Sequence, residues 1–296
     1  MNTNTIKGYI YAILSAVIYG SMPLMSNYIY EDGVTPFTLV FLRNFFSLIP
    51  LALLALRENK TIKISFKQLP PILLISILGC CVTPILLFSS YQFIASGTAT
   101  VFHFVYPAIV VIMEIIFFKK KAKIGNIISV ILCAVGIGLF YSPGEAFNLT
   151  GGILALLSGL TFASYVVLLS AFKNRGVSGF LLCFWVVLIS SVSSFFICIF
   201  TNNLILPSTI SGWGLCVLFS LLVTTGAVSL FQRSAFLIGS ERTSILSTLE
   251  PITSIIIGVI VFSEPFGLNI IVGSSLVVTA SLLIAILDMR KSKKAR

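Results

Sequence analysis

Few side chains here are equipped for polar chemistry, and three of them sit inside long apolar runs. Glu250, followed by Pro251, interrupts "TSILSTLEPITSIIIGVIVF", residues 243–262. His103, the only histidine, precedes Tyr106 and Pro107 in "TATVFHFVYPAIVVIMEIIF", residues 98–117, and Arg43 lies in "FLRNFFSLIPLALL". A carboxylate can bind a cation or carry a proton, and an imidazole can exchange protons near neutral pH. A guanidinium keeps its charge and needs an anionic or carbonyl partner. Hydrolytic chemistry is not implied: there is no HExxH or paired carboxylate spacing for a metal, and no GxSxG for a serine nucleophile. The six cysteines (Cys80, Cys81, Cys133, Cys183, Cys198, Cys216) show neither CxxC nor ligand spacing and read as small residues at helix interfaces. The expectation is a protein that is not an enzyme and uses no metal or cofactor.

The elements that must position these groups follow from composition. Hydrophobic residues make up 57% of the 296, charged residues 9%, and the mean hydropathy is +1.09. An ordinary soluble domain is about a quarter charged, and uncharged runs near 20 residues are long enough to cross about 30 Å of hydrocarbon as helices. The chain reads as an all-α integral membrane protein with ten transmembrane helices, at about 8–28, 34–56, 70–91, 98–118, 123–141, 150–171, 178–200, 211–232, 243–262 and 267–287. The first run is too long for a signal peptide and lacks a small-x-small cleavage site, so it is expected to be retained. The connections are short, which argues against a scaffold or receptor.

The net charge of +10 is arranged for a lipid bilayer and not for nucleic acid. Apart from Arg43, every Lys and Arg lies at the N-terminus, in the second, fourth, sixth or eighth connection, or in the tail "RKSKKAR". The odd-numbered connections carry Glu31, Asp32, Glu145 and Glu264 and no basic residue. This positive-inside bias predicts a multi-pass plasma-membrane protein with both termini cytoplasmic, its basic loops able to touch anionic lipid.

Sliding the chain by 143–144 residues exposes a repeat. Gly8, Ala12, Ala16 and Gly20 meet Gly151, Ala155, Gly159 and Ala163, two small-residue ridges of the kind that let membrane helices approach closely. Ser15 meets Ser158, Ser21 meets Ser164, and "SGTATVFHFVYP" aligns with "SERTSILSTLEP", placing Pro107 on Pro251. Five spans per half, with loop charges reversing ("EDG" against "KNRG", "KKKAK" against "SEPF"), predict two inverted five-helix repeats, residues 1–145 and 146–296. Such repeats are a transporter architecture with a site between the halves.

Ten spans in two such repeats, closed by "STLEPITSIIIGVIVFSEPF" and containing the arginine of "FLRNFFSLIPLALL", resemble the EamA-like branch of the drug/metabolite transporter superfamily. The resemblance covers essentially the whole chain. It implies a carrier of amino acids, other metabolites or toxic compounds.

The residues suggest which groups face the substrate. Ser244, Ser247, Glu250 and Ser254 make a polar stripe on span 9, and Thr100, His103, Tyr106 and Val110 make the equivalent stripe on span 4. Pro251 and Pro107 remove the amides that would bond the carbonyls of Ser247 and His103; with Pro23 and Pro84 they predict kinked helices 1, 3, 4 and 9 around a cavity. Glu250 either lines that cavity or locks the bundle by pairing with Arg43 or a serine. Arg43 is either that structural partner or a binder of substrate carboxylate. His103 is site-lining, structural or a proton carrier, and Glu114 is expected to pair near the lipid surface. Tyr19 and Phe162, repeat equivalents, either stack on substrate or fill an interface, as does Tyr165; Trp213 is an interface anchor.

The expected substrate-binding set is therefore Tyr19, His103, Tyr106, Phe162, Ser247 and Glu250, with Arg43, Pro107 and Pro251 as structural or gating residues. The expected function is a secondary transporter, outward-directed, of small metabolites, amino acids first, working by alternating access between the repeats. The alternative is a proton-coupled exporter of cationic drugs or quaternary ammonium compounds. Small-residue patterns in spans 5 and 10 ("CAVGIG", "GSSLVVTAS") suit either a homodimer contact or internal packing of a monomer.

Overall fold

The computed structural model describes residues 3–59, 61–119, 124–139, 148–172, 177, 179–238, 243, 246–264 and 267–294, and the regular elements among them are all helical. In chain order they are α1 (Thr3–Gly20), α2 (Met22–Glu31), α3 (Pro36–Asn59), α4 (Leu69–Ser76), α5 (Thr83–Ser90), α6 (Ser96–His103) and α7 (Tyr106–Phe118). There follow α8 (Ile124–Gly138), α9 (Leu149–Phe172), α10 (Gly179–Phe200), α11 (Ile210–Phe219), α12 (Val228–Ile238), α13 (Leu249–Phe262) and α14 (Leu268–Lys294). Among the described residues seven helical stretches are long and apolar enough to cross a membrane. At the places expected for spans 5, 9 and 10 the apolar helices Ile127–Gly138, Leu249–Phe262 and Leu268–Leu283 are shorter.

The long spans are broken where the chain loses amide donors. α1 ends at Gly20 and α2 restarts at Met22, with Pro23 in its first turn, where a missing N–H leaves no bond unmade. Pro84 plays the same part at the start of α5, directly after a π-helical segment, Ile77–Val82. Span 4 is divided into α6 and α7 at Phe104–Val105, next to Pro107. A turn at Ser247–Thr248 precedes α13 and Pro251. One expectation needs correcting: the Ser247 carbonyl is not left unpartnered, because the turn brings the Glu250 amide to it at 3.0 Å. A second π-helical segment, Ser220–Ala227, falls one repeat offset after the first and contains no proline.

The two halves interlock instead of forming separate bundles. α1 packs on α12, on the second π-helical segment and on α13; α9, its repeat equivalent, packs on α5, on the first π-helical segment and on α6 and α7. α3 packs on α10, α8 on α14, and α6 on α13, each pair joining equivalent spans. Hydrogen bonds follow the same relation. Ser47 and Ser220 hydroxyls meet at 2.7 Å between spans 2 and 8, and the Ser190 hydroxyl donates to the Ser76 carbonyl at 2.8 Å between spans 7 and 3.

The connections sort to opposite ends. The Asn203 carbonyl accepts from Thr35 and Thr38, joining connections 7 and 1, while Gly151 lies against Phe93 and Ile94, joining 5 and 3. At the other end the Glu58 carboxylate accepts from the Phe180 amide, and the Trp185 indole donates to the Ile62 carbonyl. Trp185 also lines a groove of about 260 Å³ there with Lys63, Ile64, Phe66 and Leu69.

Close approach is set by glycine at two equivalent seams. A Cβ on Gly20 would lie 2.6 Å from the Glu250 carbonyl oxygen, and one on Gly159 would lie 2.9 Å from the His103 carbonyl oxygen. Both are backbone atoms that cannot swing away. Gly20→Val and Gly159→Val are therefore expected to lower stability by about 1–3 kcal/mol through overpacking, measured as thermal unfolding of the purified protein in detergent. Gly214→Ala, which meets nothing within 4 Å, is expected to leave it unchanged.

Candidate functional site

Glu250 stands in the first turn of α13, where the break in span 9 and the close passage of Gly20 bring it against α1. Its carboxylate has no hydrogen-bond or ion-pair partner among the described residues, and it lies within electrostatic reach of Tyr19, Tyr91 and Tyr106. The rest of the expected stripe divides. Ser247 is half-buried and donates to the Thr243 carbonyl at 3.0 Å. Ser254 is fully buried and faces α6, its hydroxyl 3.0 Å from that of Thr100. Ser244 lies outside the described residues.

On span 4, His103 is 6% exposed and its Nδ1 lies 2.9 Å from the Ser158 hydroxyl of α9. That hydroxyl hydrogen is already given to the Ala155 carbonyl at 2.6 Å, so the ring must be the donor and a neutral His103 carries its proton on Nδ1. The ring packs between Phe162 and Tyr106, at 5.2 and 5.8 Å between centroids. Tyr106 and Phe162 themselves meet edge-on at 4.7 Å, and Phe162 continues to Tyr165 at 5.4 Å. His103, Tyr106 and Phe162 are thus brought together as one aromatic seam between spans 4 and 6. Tyr19, the repeat equivalent of Phe162, lies within electrostatic reach of both Glu250 and Tyr165.

Arg43 is half-buried on α3. Its backbone is fixed, since its carbonyl accepts from the Ser47 and Ser220 hydroxyls at 2.9 and 2.6 Å. Next to it, the Asn44 side chain donates to the Cys80 carbonyl in the first π-helical segment at 3.1 Å. The guanidinium lies over the Phe88 ring at 5.6 Å, and its Nε is buried without a partner. The lock expected as one alternative is not formed, for no ion pair joins Arg43 to Glu250 among the described residues. Pro107 and Pro251 occupy the breaks in their spans, Trp213 meets the edge of Phe46 at 6.3 Å, and the Glu114 side chain is outside what the structure describes.

Two acidic residues not singled out from sequence do the most visible polar work, at the end bearing the odd connections. Glu264 takes the Ser96 amide and hydroxyl on Oε1, both at 2.7 Å, and the Gly97 amide on Oε2 at 3.3 Å. It thereby caps α6 from the connection after α13, placing a negative charge at a helix N-terminus. Ser263, in the left-handed region at φ 52°, turns the chain so that Glu264 reaches back. Asp32 does the equivalent for α11, accepting from the Ser208 hydroxyl at 2.6 Å and the Ser208 and Thr209 amides at 3.0 and 3.2 Å. Each cap crosses between halves. In the sequence both are acids of odd-numbered connections, and their partners lie far away in the chain.

Among the described residues no cluster of His, Cys, Asp and Glu is placed to hold a metal ion. The model of the EamA-like transporter family matches residues 6–142 and again 149–286. The chain belongs to the EamA-like transporter family. It is 23% identical over 298 residues to an uncharacterized inner membrane transporter, YicL, of Salmonella typhimurium, spanning 99% of both chains. An uncharacterized transporter of Archaeoglobus fulgidus is 25% identical over 222 residues, 73% of this chain and 77% of that one. A crystal structure at 13% identity shares the fold, with a TM-score of 0.66 over 96% of this chain and 98% of its own. The protein is thus a membrane transporter built of two EamA repeats.

Removing the charge in Glu264→Gln should destabilise the protein by about 1.5–3 kcal/mol, the range for hydrogen bonds to an ionised group, and Ser96→Ala by less; thermal unfolding reads both. The Asp32 carboxyl is held below the usual carboxylate range by the Ser208 hydroxyl first, against partial desolvation, and then by the Thr209 and Ser208 amides. A lowered folded pKa means its contribution is present above the unfolded value, about 3.9, and is lost as pH falls through the folded one. The difference in melting temperature between wild type and Asp32→Asn should be steady above about pH 5 and close below about pH 3.5.

Proposed function

We propose that this protein exports small metabolites, amino acids first among them, across the plasma membrane by alternating access between two inverted repeats. The observation that carries the reading is Glu250: a carboxylate in an apolar span, beside a helix break, with no partner among the described residues and within electrostatic reach of three tyrosines. An intramembrane carboxylate left unpaired is costly to keep, and a substrate ammonium group is the partner that would repay it. The tyrosines and the neighbouring aromatic seam suit an organic solute that is neither large nor polyanionic.

The packing supports one-sided access. α6 is sealed to α13 at the odd-connection end by Glu264 and by the Thr100–Ser254 contact, whereas α7 packs on α9, α8 and α14. With the odd connections outside, as the loop charges favour, this is the state closed to the exterior. Because α1 sits with spans 8 and 9, and α9 with spans 3 and 4, the bodies that rock are mixed sets of spans from both halves. The breaks at Pro107 and Pro251 are the bending points.

Counterflow in proteoliposomes tests the reading, with labelled amino acids on one side and a panel on the other. Wild type should exchange amino acids, and Glu250→Gln should weaken their apparent affinity at least about tenfold. Exchange of quaternary ammonium compounds in place of amino acids, with a pH dependence lost in Glu250→Gln, would establish the cation exporter instead. Exchange of amino acids unaffected by Glu250→Gln would remove Glu250 from the site.

A further inference from the structure

We propose that Arg43 is the carboxylate-binding group of the same central site, so that the site takes a zwitterion with its carboxylate on Arg43 and its ammonium on Glu250. This rests on the reading of Glu250 given above and adds a second, chemically opposite anchor to it.

Four observations converge on Arg43. Among the described residues its guanidinium has no anionic partner; it lies over the Phe88 ring at 5.6 Å, and its Nε is buried with no acceptor. An always-charged group held this way lacks the hydrogen-bonded anion that buried guanidinium sites otherwise contain. Arg43 and Glu250 also share two neighbours, since Tyr19 and Tyr91 each lie within electrostatic reach of both. Yet the two charges do not pair with each other, as a structural lock would require. A molecule carrying both charges satisfies both residues and leaves no net charge in the membrane.

The repeat supplies the strongest argument. The bond that ties α3 to span 8 beside Arg43, from the Ser47 hydroxyl to the Ser220 carbonyl at 3.1 Å, recurs between spans 7 and 3 from the Ser190 hydroxyl to the Ser76 carbonyl at 2.8 Å. At the position equivalent to Arg43 that second seam has Val186, 5% exposed. The helix pairing is made in the other half without an arginine, so packing does not explain the charge. Two further buried hydroxyls without partners, those of Thr224 and Thr225, lie in the π-helical segment that packs on both α1 and α3. The irregular backbone there places polar groups beside the same two helices that carry Tyr19 and Arg43.

Matched ligand trios test the assignment on the purified full-length protein. L-leucine is compared with isoamylamine and 4-methylpentanoate, and L-phenylalanine with phenethylamine and 3-phenylpropionate, each titrated by calorimetry in detergent. The amino acid should bind at least about tenfold more tightly than either truncated analogue. Arg43→Gln should lower the amino acid to the affinity of its amine and leave amine binding within about twofold, which also shows that the variant is folded; Arg43→Lys should keep part of the preference. Glu250→Gln should do the converse, sparing the carboxylate. Amines that bind as well as amino acids, with Arg43→Gln lowering both alike, would overturn the role of Arg43 while leaving Glu250 as an ammonium site. Failure of every amino acid and amine to bind would overturn the Glu250 reading, and this proposal with it.

Discussion

Inside hydrocarbon no water is at hand to satisfy a free amide or carbonyl, and that constraint decides where this chain is allowed to be irregular. Its departures from the α-helix are confined to places where another helix or a side chain takes up the slack. The break before α13 keeps the Ser247 carbonyl bonded through the Glu250 amide. The first π-helical segment offers its Cys80 carbonyl to Asn44 and its Leu78 carbonyl to Thr83. The broken span 4 lays its His103 carbonyl against Gly159, where only a residue without a Cβ fits. Many of the bundle's hydroxyls bond carbonyls one turn back in their own helices, and Glu250 and Arg43 stand out because among the described residues no backbone bond accounts for their charges.

Symmetry separates scaffold from chemistry. Features found in both halves, such as the small-residue ridges, the serine contacts and the two π-helical segments, serve the pairing of equivalent spans. Features found once break the relation: Arg43 answers Val186, and Glu250 answers Tyr106 or its neighbour. A bundle whose two halves were alike throughout would hold two equal half-sites. In the proposed site the two charges are what breaks the symmetry, Glu250 giving it an anionic end and Arg43 a cationic one.

Much of the fold was legible in the sequence because membrane helices are written in long apolar runs and the prolines are local signals of where those runs break. Span 9 was harder, since a turn at Ser247–Thr248 interrupts it before the helix that begins at Leu249, and Gly20 of α1 passes close to that helix start. The π-helical segment at Ser220–Ala227 left no mark, because it contains no proline and its cause is tertiary. Glu250, Arg43 and His103 were conspicuous by type, but their environments were not: the Ser158 partner of His103 comes from the other half, and the buried Arg43 Nε without an acceptor is seen only in the fold. Glu264 looked like loop punctuation, and only the fold shows it bonded to Ser96, far earlier in the chain.

The interlocked halves have a consequence for how the protein is made. The Ser15 hydroxyl of α1 is bonded to the Ala227 carbonyl, 212 residues later. At ribosomal speeds of about 5–20 residues per second, the first helix waits on the order of ten to forty seconds in the membrane before its partner exists. During that interval its ridge of Gly8, Ala12, Ala16 and Gly20 faces lipid or a foreign helix. Assembly is thus gated by completion of the second repeat, and the first repeat alone is an intermediate with an unfilled groove.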